Sequence, residues 1–323
     1  MFSTLLGALP VDETADVGAA DEDDARLNDV AALSTTGLEL ISDGGKPARA
    51  TDDPTAVVAR WQAASAATAI PTKAVVMGPW SSARSTGRDA LEIAEQIRAT
   101  IVALAGAGCP LVEISEPEAS RIASDPSEAV SFAAAHRRVV DGSEGIHASL
   151  ALGGSVDGTA PAVLFDLTYA SYAFDLIGGP DNWRLIVQAP ADRGIIVGAL
   201  DLEPGADETR ELLVWAADYA ASTNGRGLAR VGLANAPVSP VGSRPTRADM
   251  LRKLAVIGEA GRIAAVESAE ELVGLLDRRA VDPRAGRSGR FELGGVEPGS
   301  LGPGRFAPAR RRGRTGRTGR TGR

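Results

Sequence analysis

The side chains able to do chemistry are few, and they sit in or just after short apolar runs. His147, one of two histidines in 323 residues, lies in GIHASLALGG, residues 145–154. Asp175 interrupts YAFDLI, and a carboxylate inside an apolar run needs a partner or a cavity. Ser115 and Glu116 close LVEISE, Asp201 closes GIIVGALD with Glu203 beyond it, and Asn235 closes LARVGLAN with Ser239 after it. Asp43, Trp80 and Ser81 follow two further runs. A histidine near carboxylates serves as a metal ligand or a general acid/base. Asp201 and Glu116 are the expected catalytic residues, and Asp43, Trp80, Ser81, Ser115 and Asn235 the expected substrate contacts. Plainer roles stand beside these. His147 can be a core histidine satisfied by a neighbour, Asp201 a cap, Glu116 before Pro117 the start of a turn, and Trp80 a cover over the core.

These residues are expected to converge because of the elements that carry them. Short β-rich runs at 3–7, 38–42, 73–78, 111–115, 145–154, 170–176, 194–201 and 228–235 alternate with helical patterns. The helices are expected at 23–34, 54–67, 88–105, 126–139, from 161, and at 180–188, 207–221, 246–265 and 268–278. Eight strand-then-helix units are the number that closes an α/β (β/α)8 TIM barrel, with right-handed crossovers. A doubly wound sheet is the competitor, but no Gly-x-Gly-x-x-Gly follows the first run. Barrel sites are built at strand C-terminal ends, which selects the residues above. Cys109, in the loop before the fourth run, falls at the opposite face and is expected to be structural.

Composition sets the outer limits. A hydrophobic content of 44% and a charged content of 24% suit a globular body with a sizeable core. The single cysteine excludes an intrachain disulfide and a Cys-rich zinc cluster. The N-terminal apolar run lacks a basic start and stops at Pro10, so neither a leader nor a membrane span is expected, and the expected location is cytoplasmic. Charge is segregated. Residues 278–323 hold thirteen Arg and no Lys against Asp282, Glu292 and Glu297, a balance of +10 in a chain of −8, which leaves −18 for residues 1–277. That Gly- and Pro-rich tail, ending in repeated Arg-Thr-Gly, is expected to be disordered from 281, with the barrel domain at 1–280. Phosphate contacts would let such a tail meet nucleic acid, but no aromatic residue follows Phe306 to stack on bases, and a solvated extension is preferred.

Taken in order, Gly7-Ala8-Leu9-Pro10, the Gly37–Gly44 stretch, Gly78-Pro79, Glu116-Pro117, His147, Asp175 and Val197–Asp201 resemble the C-terminal domain of cobalamin-independent methionine synthases over residues 1–265. The uroporphyrinogen decarboxylase fold is the nearest alternative. The resemblance implies a zinc ion held by His, Cys, Glu and Cys, and methyl transfer from a methylated folate to the homocysteine thiolate. His147 and Asp175 match the histidine and glutamate as metal ligands. Ser149 stands at the first cysteine, and no cysteine falls near Val238 or Ser239 for the second. Gly45 and Ser115 replace two acids that the family uses for the amino-acid ammonium. The expectation is a diverged methyltransferase-like barrel with a depleted zinc site. The alternatives are a metal-free lyase gripping an acidic small molecule through Arg84 or Arg244, and a noncatalytic barrel that binds a small molecule or a protein.

Overall fold

Most helices announce their own start. Asp53, Asp89 and Asp125 each accept backbone N–H bonds from the first turn that follows, from Thr55, from Leu91 and Glu92, and from Ser127 respectively. Thr209 and Thr246 do the same for Leu212 and Asp249. Proline at the first helical position, where its missing N–H costs nothing, reinforces two of these starts at Pro54 and Pro126.

The computed structural model describes residues 1–9, 19–143, 145–203, 209–237, 245–266 and 275. Backbone contacts divide the chain into Met1–Leu275 and Leu276–Arg323. The second unit, with the expected disordered tail, lies outside the described residues, as do Ser239, Arg244 and nearly all of the helix expected at 268–278.

Eight parallel strands form one sheet: β1 (Phe2–Ser3), β2 (Ile41–Ser42), β3 (Thr72–Met77), β4 (Leu111–Glu116), β5 (His147–Leu152), β6 (Ser171–Asp175), β7 (Gly194–Leu200) and β8 (Val231–Asn235). Their order is β1-β8-β7-β6-β5-β4-β3-β2, and a parallel bridge between Thr4 and Leu40 joins the two ends. The helices described between and after them are α1 (Ala19–Leu33), α2 (Pro54–Ala66), α3 (Pro79–Thr86), α4 (Ala90–Gly106), α5 (Pro126–Val140), α6 (Pro161–Phe165), α7 (Trp183–Gln188), α8 (Arg210–Ser222) and α9 (Arg247–Ala264). This is the expected (β/α)8 arrangement. None of the described helices is long and apolar enough to cross a membrane.

Two of the differences from expectation bear on the site. The strand expected at 3–7 ends early, because Leu5–Gly7 turn their backbone groups to side chains: Leu6 to Asn235, Gly7 to Glu113, and the Leu5 carbonyl to Lys73. The segment after β3, expected as a loop, is α3, opened by Pro79 and stopped by Gly87 at φ +69°.

Leu6, Ala151, Ala173, Ile196 and Ala234, from around β1 and from β5 to β8, meet inside the barrel with Phe2 packed on them. Side chains alternate along a strand, so this cluster sets the facing of every strand. Ser149 pairs with Ser171 and Glu113 with Ser149, which puts Glu113 and, two residues on, Ser115 on the inner face. Glu116 pairs with Leu152, whose register partner is Phe174, and so faces the helices.

Candidate functional site

The C-terminal end of the sheet is built by the turns after each strand, and it gathers only part of the expected set. Asp175 ends β6 and Asp201 follows β7, its neighbour. Burial holds the Asp175 carboxyl above its usual range against the pull of three backbone N–H groups, and the Asp201 carboxylate adds to the rise. Those donors are Gly154 at 2.9 Å on Oδ2, and Ile177 at 3.0 Å and Gly178 at 2.7 Å on Oδ1. A Cβ at Gly178 would stand 2.5 Å from Asp175 Oδ2, so a larger residue there would force the carboxylate to shift. Asp175 therefore organises the turns after β5 and β6.

Asp201 is less committed. Its Oδ1 accepts the Glu203 N–H at 2.8 Å, and its Oδ2 has no partner among the described residues. The turn that carries it is held by Lys253 of α9, whose buried ammonium donates to the Asp201 and Glu203 carbonyls at 2.6 Å each. Ser115, half-buried on the inner face of β4, completes the part of the expected set that lies at the mouth.

Glu116, Trp80 and Ser81 also come together, but behind the wall. Glu116 is 0% exposed and accepts the Trp80 N–H at 3.0 Å, the Ser81 N–H at 2.8 Å and the Ser81 hydroxyl at 2.6 Å. His136 of α5 reaches the same carboxylate at 3.0 Å, and its other ring nitrogen meets the Tyr169 hydroxyl at 2.7 Å. The Trp80 ring packs edge-on to Phe132 and under the Arg84 guanidinium, so it covers the core. Arg84 itself pairs with Glu128 of α5 at 3.0 Å and is turned to the helix layer, away from the barrel interior.

Three other residues leave the mouth. Asn235 is 0% exposed and clamps β8 to the first strand, accepting the Leu6 N–H at 2.9 Å and donating to the Leu6 carbonyl at 3.2 Å. Asp43 pairs through its backbone with Lys73 and lies below a bulge, after which the chain rejoins β3 at Ala48. Its carboxyl faces Arg26 of α1 at 3.5 Å, and burial outweighs that cation, raising its pKa to about 7.

The largest correction concerns His147. It is the first residue of β5, so it stands at the N-terminal face, where its Nε2 meets Ser171 Oγ at 2.8 Å and Ser171 donates in turn to Ser149 Oγ at 2.8 Å. Burial lowers its pKa. Asp175 lies at the far end of the neighbouring strand. From the Ser149–Ser171 pairing the two are six residues apart along the strands, roughly 20 Å at about 3.3 Å per residue. Zinc bonds are roughly 2 Å long, so His147 and Asp175 do not fit one zinc ion. The mouth end of β5 is Ala151 and Leu152, and no group of three His, Cys, Asp or Glu side chains able to hold a metal occurs among the described residues. Cys109 is buried before β4, and burial pushes its thiol up to about 11.

The residues missed from sequence are His136, Tyr169, Lys253 and the Lys73–Glu113 pair inside the barrel. Glu113 in LVEIS and Lys73 in KAVVM carried a usable signal, opposite charges inside two successive apolar runs. His136 carried none, since on a helix it looks like any other polar position.

No family model matches the sequence, and no curated protein matches it. Solved structures do share the fold. A B12-independent methionine synthase from Shewanella sp. W3-18-1, in complex with selenomethionine, is 14% identical with a TM-score of 0.63, over 84% of this chain and 98% of that one. A D-psicose 3-epimerase from Clostridium cellulolyticum H10 is 10% identical with a TM-score of 0.51, over 82% and 99%. A methyltransferase from Methanosarcina mazei is 13% identical with a TM-score of 0.50, over 76% and 86%. At these identities the likeness is one of barrel architecture.

Proposed function

We propose that the chain is a diverged methionine-synthase-like methyltransferase that works on a small substrate at the C-terminal mouth without a zinc–thiolate centre, with a methylated folate as donor. The observation that carries this reading is Asp201, a mouth carboxylate with an oxygen left free by the described residues, held by Lys253 beside Asp175. As the acceptor's thiol or amine takes the methyl group and the donor's nitrogen–methyl bond breaks, Asp201 takes the acceptor's proton and returns it to the nitrogen that the methyl group leaves, so methyl and proton change places between donor and acceptor. The likeness of fold over nearly the whole length of a methionine synthase chain supports the choice of reaction class.

The test is transfer of a labelled methyl group from methylated folate to homocysteine by the full chain, with zinc measured in the same sample. Transfer that survives a chelator and falls by about 10²–10⁴ in Asp201→Asn is expected. Transfer that requires stoichiometric zinc, or no transfer to any thiol or amine, would overturn the reading. A second reading, a binding barrel without catalysis, draws on the protein's own use of its carboxylates: both oxygens of Asp175 and of Glu116 are already occupied. Folate binding that is unchanged in Asp201→Asn, with no turnover in either protein, would favour it.

A further inference from the structure

Ser81, Glu116, His136 and Tyr169 form one hydrogen-bonded file from the first turn of α3, past the end of β4, through α5 to the residue two before β6. Glu116, His136 and Tyr169 are all 0% exposed, so the protons of the file are to be matched to acceptors away from bulk water. Glu116 meets four donors, two on each oxygen: the Trp80 N–H and His136 Nε2 on Oε1, the Ser81 N–H and hydroxyl on Oε2. The Ser81 oxygen itself accepts the Glu118 N–H at 3.2 Å, which leaves its proton for Glu116. A carboxylate has about four acceptor sites and no donor, so the count closes for ionised Glu116 with a proton on His136 Nε2.

The other side of the ring closes in the same way. The Tyr169 hydroxyl has no second partner among the described residues, and burial holds it well above its ordinary pKa as a phenol. If it donates to Nδ1, no buried proton is orphaned; if Nδ1 carried a proton, the phenol hydrogen would have no acceptor among the described residues. The groups facing the imidazole are Glu116 from β4, Tyr169, and the Phe132 ring at 4.1 Å from its own helix. At the head of the file, Gly78 lets the carboxylate in, because a Cβ there would lie 2.1 Å from Glu116 Oε1.

We propose that His136 is a positioning residue: as a neutral imidazole protonated at Nε2, it holds Glu116 in the one setting that seats the first turn of α3 at the edge of the barrel mouth. The outer helix α5 is thereby tied to the β3–α3 turn through a sealed charge, whatever substrate the mouth takes. A histidine that merely filled space would be replaceable by an apolar ring.

With two histidines in the chain, nitrogen-15 spectra of histidine-labelled full-length protein resolve the question directly. One imidazole, lost in His136→Gln, should show a protonated Nε2 and a bare Nδ1. Hydrogen exchange of the Trp80 and Ser81 amides should quicken about 10-fold or more in His136→Phe and be restored by His136→Gln, whose amide donates to Glu116, while β5 to β7 keep their protection. A doubly protonated His136, or a bare Nε2, would overturn the proposal. So would a folded Phe variant with α3 exchange unchanged. If the Phe variant does not fold, the spectrum of the unaltered chain still decides.

Discussion

Lys73 Nζ stands 2.6 Å from Glu113 Oε2 in the interior of the barrel, and each side chain is 1% exposed. The ammonium also donates to the Leu5 carbonyl, and Glu113 Oε1 accepts the Gly7 N–H at 2.9 Å, so the pair anchors the end of the first strand. Removing one partner leaves the other charge buried and alone. Glu113→Ala should cost about 3–5 kcal/mol in urea unfolding, and Lys73→Met with Glu113→Leu should cost less than either single change. A single-variant loss below about 1 kcal/mol would mean that the surviving charge finds water.

Asp43 links stability to pH. Its folded pKa, about 7, lies above the ordinary 3.8, so the folded state binds the proton more tightly. The contribution is full below about pH 4 and is lost as pH rises through about 7. A shift of this size corresponds to about 4 kcal/mol at most. Unfolding free energies measured from pH 4 to 8 should fall more steeply in the unaltered chain than in Asp43→Asn; parallel curves would remove Asp43 as the cause.

Gly78→Ala tests the seat of Glu116. The added methyl would meet Oε1 at 2.1 Å, so either β3 or the carboxylate has to move. A loss of about 1–3 kcal/mol is expected, with faster exchange in α3. An alanine variant of unaltered melting temperature would show that the carboxylate has room to shift.

His147→Ala separates the two ends of the barrel. The variant should lose about 1 kcal/mol with its bond to Ser171, and leave ligand affinity at the mouth unchanged. A fall in affinity of tenfold would return His147 to the functional site.

The sequence by itself determined the barrel. Eight apolar runs alternating with capped helices have one common closed solution, because each strand buries both faces and each helix only one. Asp175 and Asp201 were legible as mouth residues from their places in the runs, Asp175 one residue before the end of 170–176 and Asp201 closing 194–201. Tertiary structure decided what a strand's period and register control. One residue of alternation separates Ser115, inside the barrel, from Glu116, sealed against α5. His147 is the third of the ten residues in the run read from sequence, and the ladder shows that pairing begins at it, which puts it at the far face from Asp175. The partners that complete the buried charges, His136 for Glu116 and Lys73 for Glu113, are 20 and 40 residues away in the chain. Such pairings follow from how elements pack, and no local pattern records them.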